Sequence, residues 1–397
     1  MGLDTRDSIM WPHMNILIPR ILISGGKFLI AIFVFFITIE VCSRLDDAIK
    51  YGAPLRGVYS ANLLQSKDSE GNNYNLPNAR FEKWQHNSLG FRGPEPMQNK
   101  PPGTVRVVCM GASESYGLFE SPGKEWPAQL QEQLSAPAFE VVNASVVGFN
   151  LPLYGPYLKK HVFPLKPDMI ILVISPIMYV ASIERAAMEN SFPSDTAEKS
   201  KSQDVSLTRL MLKNIRILPK IKQVIKQSIM EYFPGLLKRY QLRRLQKEVE
   251  EIERLRLNGR KPLDSIPDIY LDNFRTELND LVELIHSQGI EVILTSFPAL
   301  ISHENIGQYT EIFLDNRRFF IWLSLEGMAD AVKKLNPVME HVAREKKAMF
   351  FDIASRLPKT TDYFGDNVHF TDRGAKRIAE GVAGQLRGRR YATMGVQ

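Results

Sequence analysis

A serine hydroxyl becomes a nucleophile only beside a base, and an imidazole base works best when a carboxylate fixes its tautomer. The chain offers a candidate for each role. Gly111-Ala112-Ser113-Glu114-Ser115-Tyr116-Gly117 puts Ser113 in a glycine-flanked turn between a strand pattern and a helix pattern. Such a turn exposes the hydroxyl, and the N–H groups of the following helix face any oxyanion that develops there. Capping is the competing use, because serine is also a favoured N-cap. Far along the chain, Asp366-Asn367-Val368-His369 sets a carboxylate three residues before one of only seven histidines. Asp366 can orient His369 if both side chains enter one loop cavity; a plain surface histidine is the alternative. Ser115 is the rival nucleophile, but two residues into the helix its side chain points away from that of Ser113.

The elements that must position these groups read as an α/β alternation. Val105–Met110, Phe139–Val142, Met169–Ile174, Ile290–Thr295 and Ala348–Asp352 are short apolar runs suited to buried strands. Helical spacing marks Trp126–Leu134, 272–288, 327–346 and 372–387. This pattern predicts a parallel sheet with helices on both faces, a three-layer arrangement over residues 105–390. Ser113 and the Asp-x-x-His run then fall at C-terminal strand ends, the rim where open α/β sheets hold their sites. Between about 183 and 267 strand signals stop, and a polar, Lys- and Arg-rich helical insertion is expected. Residues 44–104, rich in Asn, Gly and Pro, read as an extended approach segment.

The composition, 44% hydrophobic and 24% charged, excludes a disordered or collagen-like chain. A net charge of +6 over 397 residues is too diffuse to argue for nucleic acid. Cys42 and Cys109 lack metal-ligand spacing, and no phosphate- or dinucleotide-binding glycine pattern is present, so no metal or cofactor is expected. Phe28–Ile39 carries no charge. With its flanks, 21–43 reaches the roughly 20 residues that span a bilayer, after a 1–20 segment on the cytoplasmic side. A cleaved signal and a buried core helix are the alternatives. Within the insertion, apolar residues at helical spacing with lysines between them fit a solvated cap or, across 206–261, contact with an anionic lipid surface.

The ordered blocks resemble the SGNH (GDSL-type) hydrolase superfamily of serine esterases and acyl-transfer enzymes. GASESYG is similar to the first block, with Ala112 where the family has Asp. Val142-Asn143-Ala144-Ser145-Val146-Val147-Gly148 is similar to the second, and DNVHFTDRGAKRIAEGVA to the last. The segment HNSLGFRGPEP before the first strand resembles membrane-anchored bacterial members. The resemblance implies a flavodoxin-like sheet, Ser113 as nucleophile, His369 as base and then acid, and Asp366 as its orienter. It also implies an oxyanion hole from the Ser113 and Gly148 N–H groups. One departure stands out: the third block normally supplies an Asn after the strand that here reads MIILVI, but the chain continues Ser175-Pro176-Ile177-Met178-Tyr179. Asn150, Ser175 and Tyr179 are the candidate substitutes. The implied function is a single-pass inner-membrane esterase facing the periplasm and acting on ester-linked acyl groups, acetyl foremost, of an envelope glycan or lipid. Acyl transfer through the same triad and a non-catalytic envelope scaffold are the alternatives.

Overall fold

Short β-branched runs flanked by turn residues pair as parallel strands when helices can cover both sheet faces. The computed structural model describes residues 14–57, 59–68, 72–134, 139–191, 215–232, 234–257 and 259–394. They divide into two compact units, one holding residues up to Tyr59 with 215–229, the other the remainder.

In the first unit, helix α1 runs Met14–Tyr51 without a break. Its portion Lys27–Tyr51 is long and apolar enough to cross a membrane, with mean hydropathy 2.2 in its most apolar stretch. Phe28, Phe33, Phe35 and Phe36 are exposed along it.

The second unit opens with two small hairpins: β1 (Gln65–Lys67) pairs antiparallel with β2 (Asn73–Asn75), and β3 (Arg80–Phe81) with β4 (Trp84–Gln85). The expected extended linker over 44–104 is therefore corrected. Its start lies in α1, and its later part folds onto the sheet loops through the polar side chains that made it look unstructured. Gln65 Nε2 donates to Val147 O at 3.2 Å, and Asn75 Nδ2 to Ser145 O at 3.0 Å.

Then come β5 (Val105–Met110), α2 (Ser113–Tyr116), α3 (Trp126–Leu134), β6 (Phe139–Asn143), α4 (Leu151–Tyr157), β7 (Met169–Leu172) and α5 (Pro176–Ser191). Helix α6 (Ile217–Tyr232) begins in the first unit, where Glu40 caps it. The Glu40 carboxylate accepts from Arg216 N at 3.1 Å and Ile217 N at 3.0 Å, while Lys220 pairs with Asp46 and Asp47 at 2.9 and 2.8 Å. Helix α7 (Pro234–Arg256) packs on the second unit through buried Val249 and a Glu253–Arg317 pair at 2.5 Å. The insertion is thus helical where described; its 192–214 part lies outside the described residues.

The chain closes with α8 (Asp268–His286), β8 (Glu291–Thr295), α9 (Thr310–Arg317), α10 (Leu325–Glu345), β9 (Met349–Phe351) and α11 (Asp372–Met394). Five strands form one parallel sheet in the order β6-β5-β7-β8-β9. In chain order that is 2-1-3-4-5, the flavodoxin-like arrangement. Helices α3 and α11 pack together on one face, and α4, α5, α8 and α10 cover the other. The expected flavodoxin-like α/β sheet with helices on both faces is the one found. Val107, Val108, Ile170, Ile171, Ile293 and Leu294 are buried in the sheet, so its register is fixed by apolar contact on both sides.

Candidate active site

The Asp-x-x-His spacing has a local physical reason. Asp366 Oδ1 accepts from the N–H groups of Val368 and His369, both at 2.8 Å. This Asx-type turn fixes the carboxylate and leaves Oδ2 for the imidazole. His369 Nδ1 donates to Asp366 Oδ2 at 2.7 Å, so Nε2 is the acceptor nitrogen. It receives the Ser113 hydroxyl at 2.7 Å. The three expected residues, 256 positions apart at the extremes, thus form one relay. Burial opposes the Asp366 charge, but the His369 ring and the two N–H groups outweigh it and hold the carboxyl below its ordinary range. An anionic Asp366 is what stabilises the imidazolium that forms when Ser113 loses its proton.

Ser113 is the first residue of α2 and only half-buried, while Glu114, Ser115 and Tyr116 after it are buried. Ser115 faces the core beneath Gly111, where a Cβ would stand 2.2 Å from its Oγ. That geometry removes it as the rival nucleophile. Gly148 lies beyond β6 at φ +80°, a conformation that favours glycine. Its loop is tied to the nucleophile turn by Val146 N donating to Gly111 O at 3.1 Å.

The candidates for the absent third-block amide fare differently. Ser175 caps the helix that follows it, its Oγ accepting from Met178 N at 3.3 Å, which leaves its hydroxyl hydrogen to donate. Tyr179 is buried against Phe274, and its hydroxyl donates to Glu277 Oε1 at 3.0 Å, so it turns toward α8. The Tyr179 expectation is corrected: the helix that starts at Pro176 turns its side chain toward α8. Asn150 precedes α4 but makes no side-chain cap bond, and its Oδ1 is buried without a partner among the described residues. Its amide is the one left uncommitted.

Three contributions were not visible in the sequence. The Phe119 ring stacks on His369, centroids 4.8 Å apart, and Gly365 allows it, since a Cβ there would meet Phe119 at 2.4 Å. Glu114, fully buried, accepts from Ala112 N at 2.8 Å, so a carboxylate stands after the serine where Ala112 has none before it. Burial raises its pKa, and its nearness to His369 works the other way. Finally, the Asn87–Arg92 segment braces α2 from behind. Asn87 Oδ1 accepts from Leu89 N and Phe91 N, each at 3.0 Å, and Arg92 lies over the Tyr116 ring and faces Glu125 at 3.5 Å. His86 accepts from Tyr116 OH at 2.8 Å while donating to Leu76 O, and burial pulls its pKa down to about 4.

Among the described residues no cluster of His, Cys, Asp and Glu suits a metal ion. No family model and no curated protein matches the chain. Solved structures it is similar to include a lipolytic protein of the G-D-S-L family from Desulfitobacterium hafniense (14% identity, 70% of this chain and 98% of that chain, TM-score 0.37). A GDSL-like lipase from Bacteroides thetaiotaomicron is comparable (13%, 73% and 92%, TM-score 0.39). So is a catalytic mutant of an acetylxylan esterase from Geobacillus stearothermophilus (13%, 72% and 94%, TM-score 0.38).

Proposed function

We propose that the protein is a membrane-anchored serine ester hydrolase of the SGNH type, its soluble unit in the periplasm, taking small acyl groups from an envelope glycan or lipid. The observation that carries this reading is the unbroken Ser113–His369–Asp366 relay, with 2.7 Å at each side-chain step. Ser113 Oγ attacks the ester carbonyl while His369 Nε2 takes its proton and Asp366 steadies the imidazolium. The Ser113 and Gly148 N–H groups and the Asn150 amide stabilise the tetrahedral oxyanion. Collapse expels the alcohol, protonated by His369, and leaves an acyl-Ser113. Water, activated by the same imidazole, releases the acid. Transfer to a sugar hydroxyl shares each step up to the acyl-enzyme.

The remaining placements are proposals of the same kind. Residues 21–43 hold the protein in the inner membrane. Within 206–261, the lipid-facing piece is α6, which exposes Val224, Ile225, Ile229 and Tyr232 and is clasped to the polar end of α1. Incubation of the detergent-solubilised chain with a fluorophosphonate probe and with p-nitrophenyl acetate tests the chemistry. Labelling and turnover are expected in wild type and absent in Ser113→Ala. Absence of both in wild type between pH 6 and 9 would leave the scaffold reading in place.

A further inference from the structure

A cleft of about 450 Å³ opens at the C-terminal ends of β8 and β9, and no triad residue lines it. The volume falls in the roughly 300–1,000 Å³ range of small-molecule sites. Its floor is apolar, with Ile301, Val332 and Phe350, and its walls are polar. The walls are also held in place. Asn336 of α10 exchanges two hydrogen bonds with the Phe297 backbone, at 2.8 and 3.1 Å. Ser296 Oγ donates to Asp352 Oδ1 at 2.6 Å, and Lys359 Nζ reaches Ile301 O at 3.1 Å.

We infer that this cleft is a binding subsite for a neutral sugar unit of the glycan whose ester the triad cleaves. The charge balance selects the ligand. Glu304, Glu340 and Asp352 outnumber Lys333 and Lys359 on the rim, which disfavours a phosphate or other anion. The two lysines equally disfavour a cation. Adjacent donors and acceptors over an apolar floor suit a ring that is hydroxylated at its edge and apolar on its face.

Position supports the same ligand. The cleft lies on the rim that carries Ser113, which follows β5, so β8 and β9 stand two and three strand spacings away, roughly 10–15 Å. A short oligosaccharide spans that distance and a free acetate ester does not. The cleft also touches the catalytic loop. Ile301 N donates to Asn367 Oδ1 at 3.1 Å and Leu300 N to Asn367 O at 2.8 Å, and buried Asn367 lies between Asp366 and His369. A sugar seated over Ile301 therefore presses on the backbone that aims the imidazole.

The assignment of the sugar as part of the substrate rests on the hydrolase reading, but binding does not, and the experiment separates them. The full chain carrying Ser113→Ala is titrated by calorimetry with unacetylated xylo-, cello-, manno- and chito-oligosaccharides. At least one series binds, and Lys359→Met or Lys333→Met added to that background weakens binding about tenfold. Both lysines are exposed, and circular dichroism checks that the variants fold. Failure of every series at millimolar concentration, or binding indifferent to both substitutions, overturns the subsite. In the active protein, Lys359→Met lowers kcat/KM for the acetylated form of the binding series about tenfold relative to kcat/KM for p-nitrophenyl acetate. An equal fall for both esters overturns the link to substrate. A wild type inert to all esters overturns the hydrolase reading alone, and the calorimetry still decides the subsite.

Discussion

At the scale of single residues, the relay and its supports are separable by substitution. Asn150 carries a buried amide oxygen with no partner among the described residues and caps nothing, an arrangement that native structures rarely keep without a use. As the third oxyanion donor, its loss in Asn150→Ala lowers kcat for p-nitrophenyl acetate by about 10²–10³ with little change in stability. A variant within twofold of wild type would return the third donor to an open question. Glu120 makes a different prediction. Burial, with Glu125 close by, pushes its carboxyl up to about 8, against an ordinary value near 4.3. Between those two pH values the unfolded chain has released this proton and the folded chain still holds it, so stability falls as pH rises. Glu120→Gln removes that slope, leaving the variant more stable at pH 8 by at most about 5 kcal/mol and nearly equal at pH 4. Parallel denaturation midpoints for the two proteins across this window would contradict it. Ser113, Asp366 and His369 were legible because their spacing is itself the chemistry. Phe119 and Glu114 were not, since a ring's stacking partner and a carboxylate's burial depend on chain segments far away in sequence.

Elements were legible in proportion to how much of their stability is local. The five sheet strands are short apolar runs that any fold would bury, and their expected limits differ from those found by at most two residues at either end. The hairpins β1–β4 escaped notice because they are two or three residues long, polar, and held by side chains such as Gln65 and Asn75 reaching loops across the domain. The helical insertion was foreseen as one basic block, yet its halves differ. Helix α7 buries Val249 on the second unit, whereas α6 keeps Val224, Ile225 and Ile229 exposed beside the polar end of an apolar helix. If α1 spans a bilayer, the proposed place of this amphipathic helix is the headgroup layer, apolar side inward. In nanodiscs with anionic lipid, Ile225→Trp is expected to emit at shorter wavelength than in detergent-free buffer and to be quenched by brominated acyl chains. Emission indifferent to the brominated lipid would sink the surface-helix reading while leaving the anchor untouched.

For the whole molecule, the decisive feature is that the apolar stretch and the polar turns after it are one helix. Helix α1 is 38 residues long, about 57 Å at 1.5 Å per residue, nearly twice the roughly 30 Å hydrocarbon core. If its apolar stretch spans a membrane, as proposed, its C-terminal turns with Asp46, Asp47 and Lys50 extend beyond the hydrocarbon core. Those same turns are where Glu40 and the two aspartates hold the start of α6. Cleavage after Cys42 would sever a continuous hydrogen-bonded helix and strip α6 of its Glu40 cap. An anchor retained for structural reasons predicts that the purified chain keeps its N-terminal segment and stays in the membrane pellet after washing at alkaline pH in carbonate, which strips proteins held by charge alone. A mature N-terminus beyond Cys42, or release into the carbonate supernatant, would turn the proposed anchor into a signal and make the protein a freely diffusing one, with every membrane-borne substrate then out of its fixed reach.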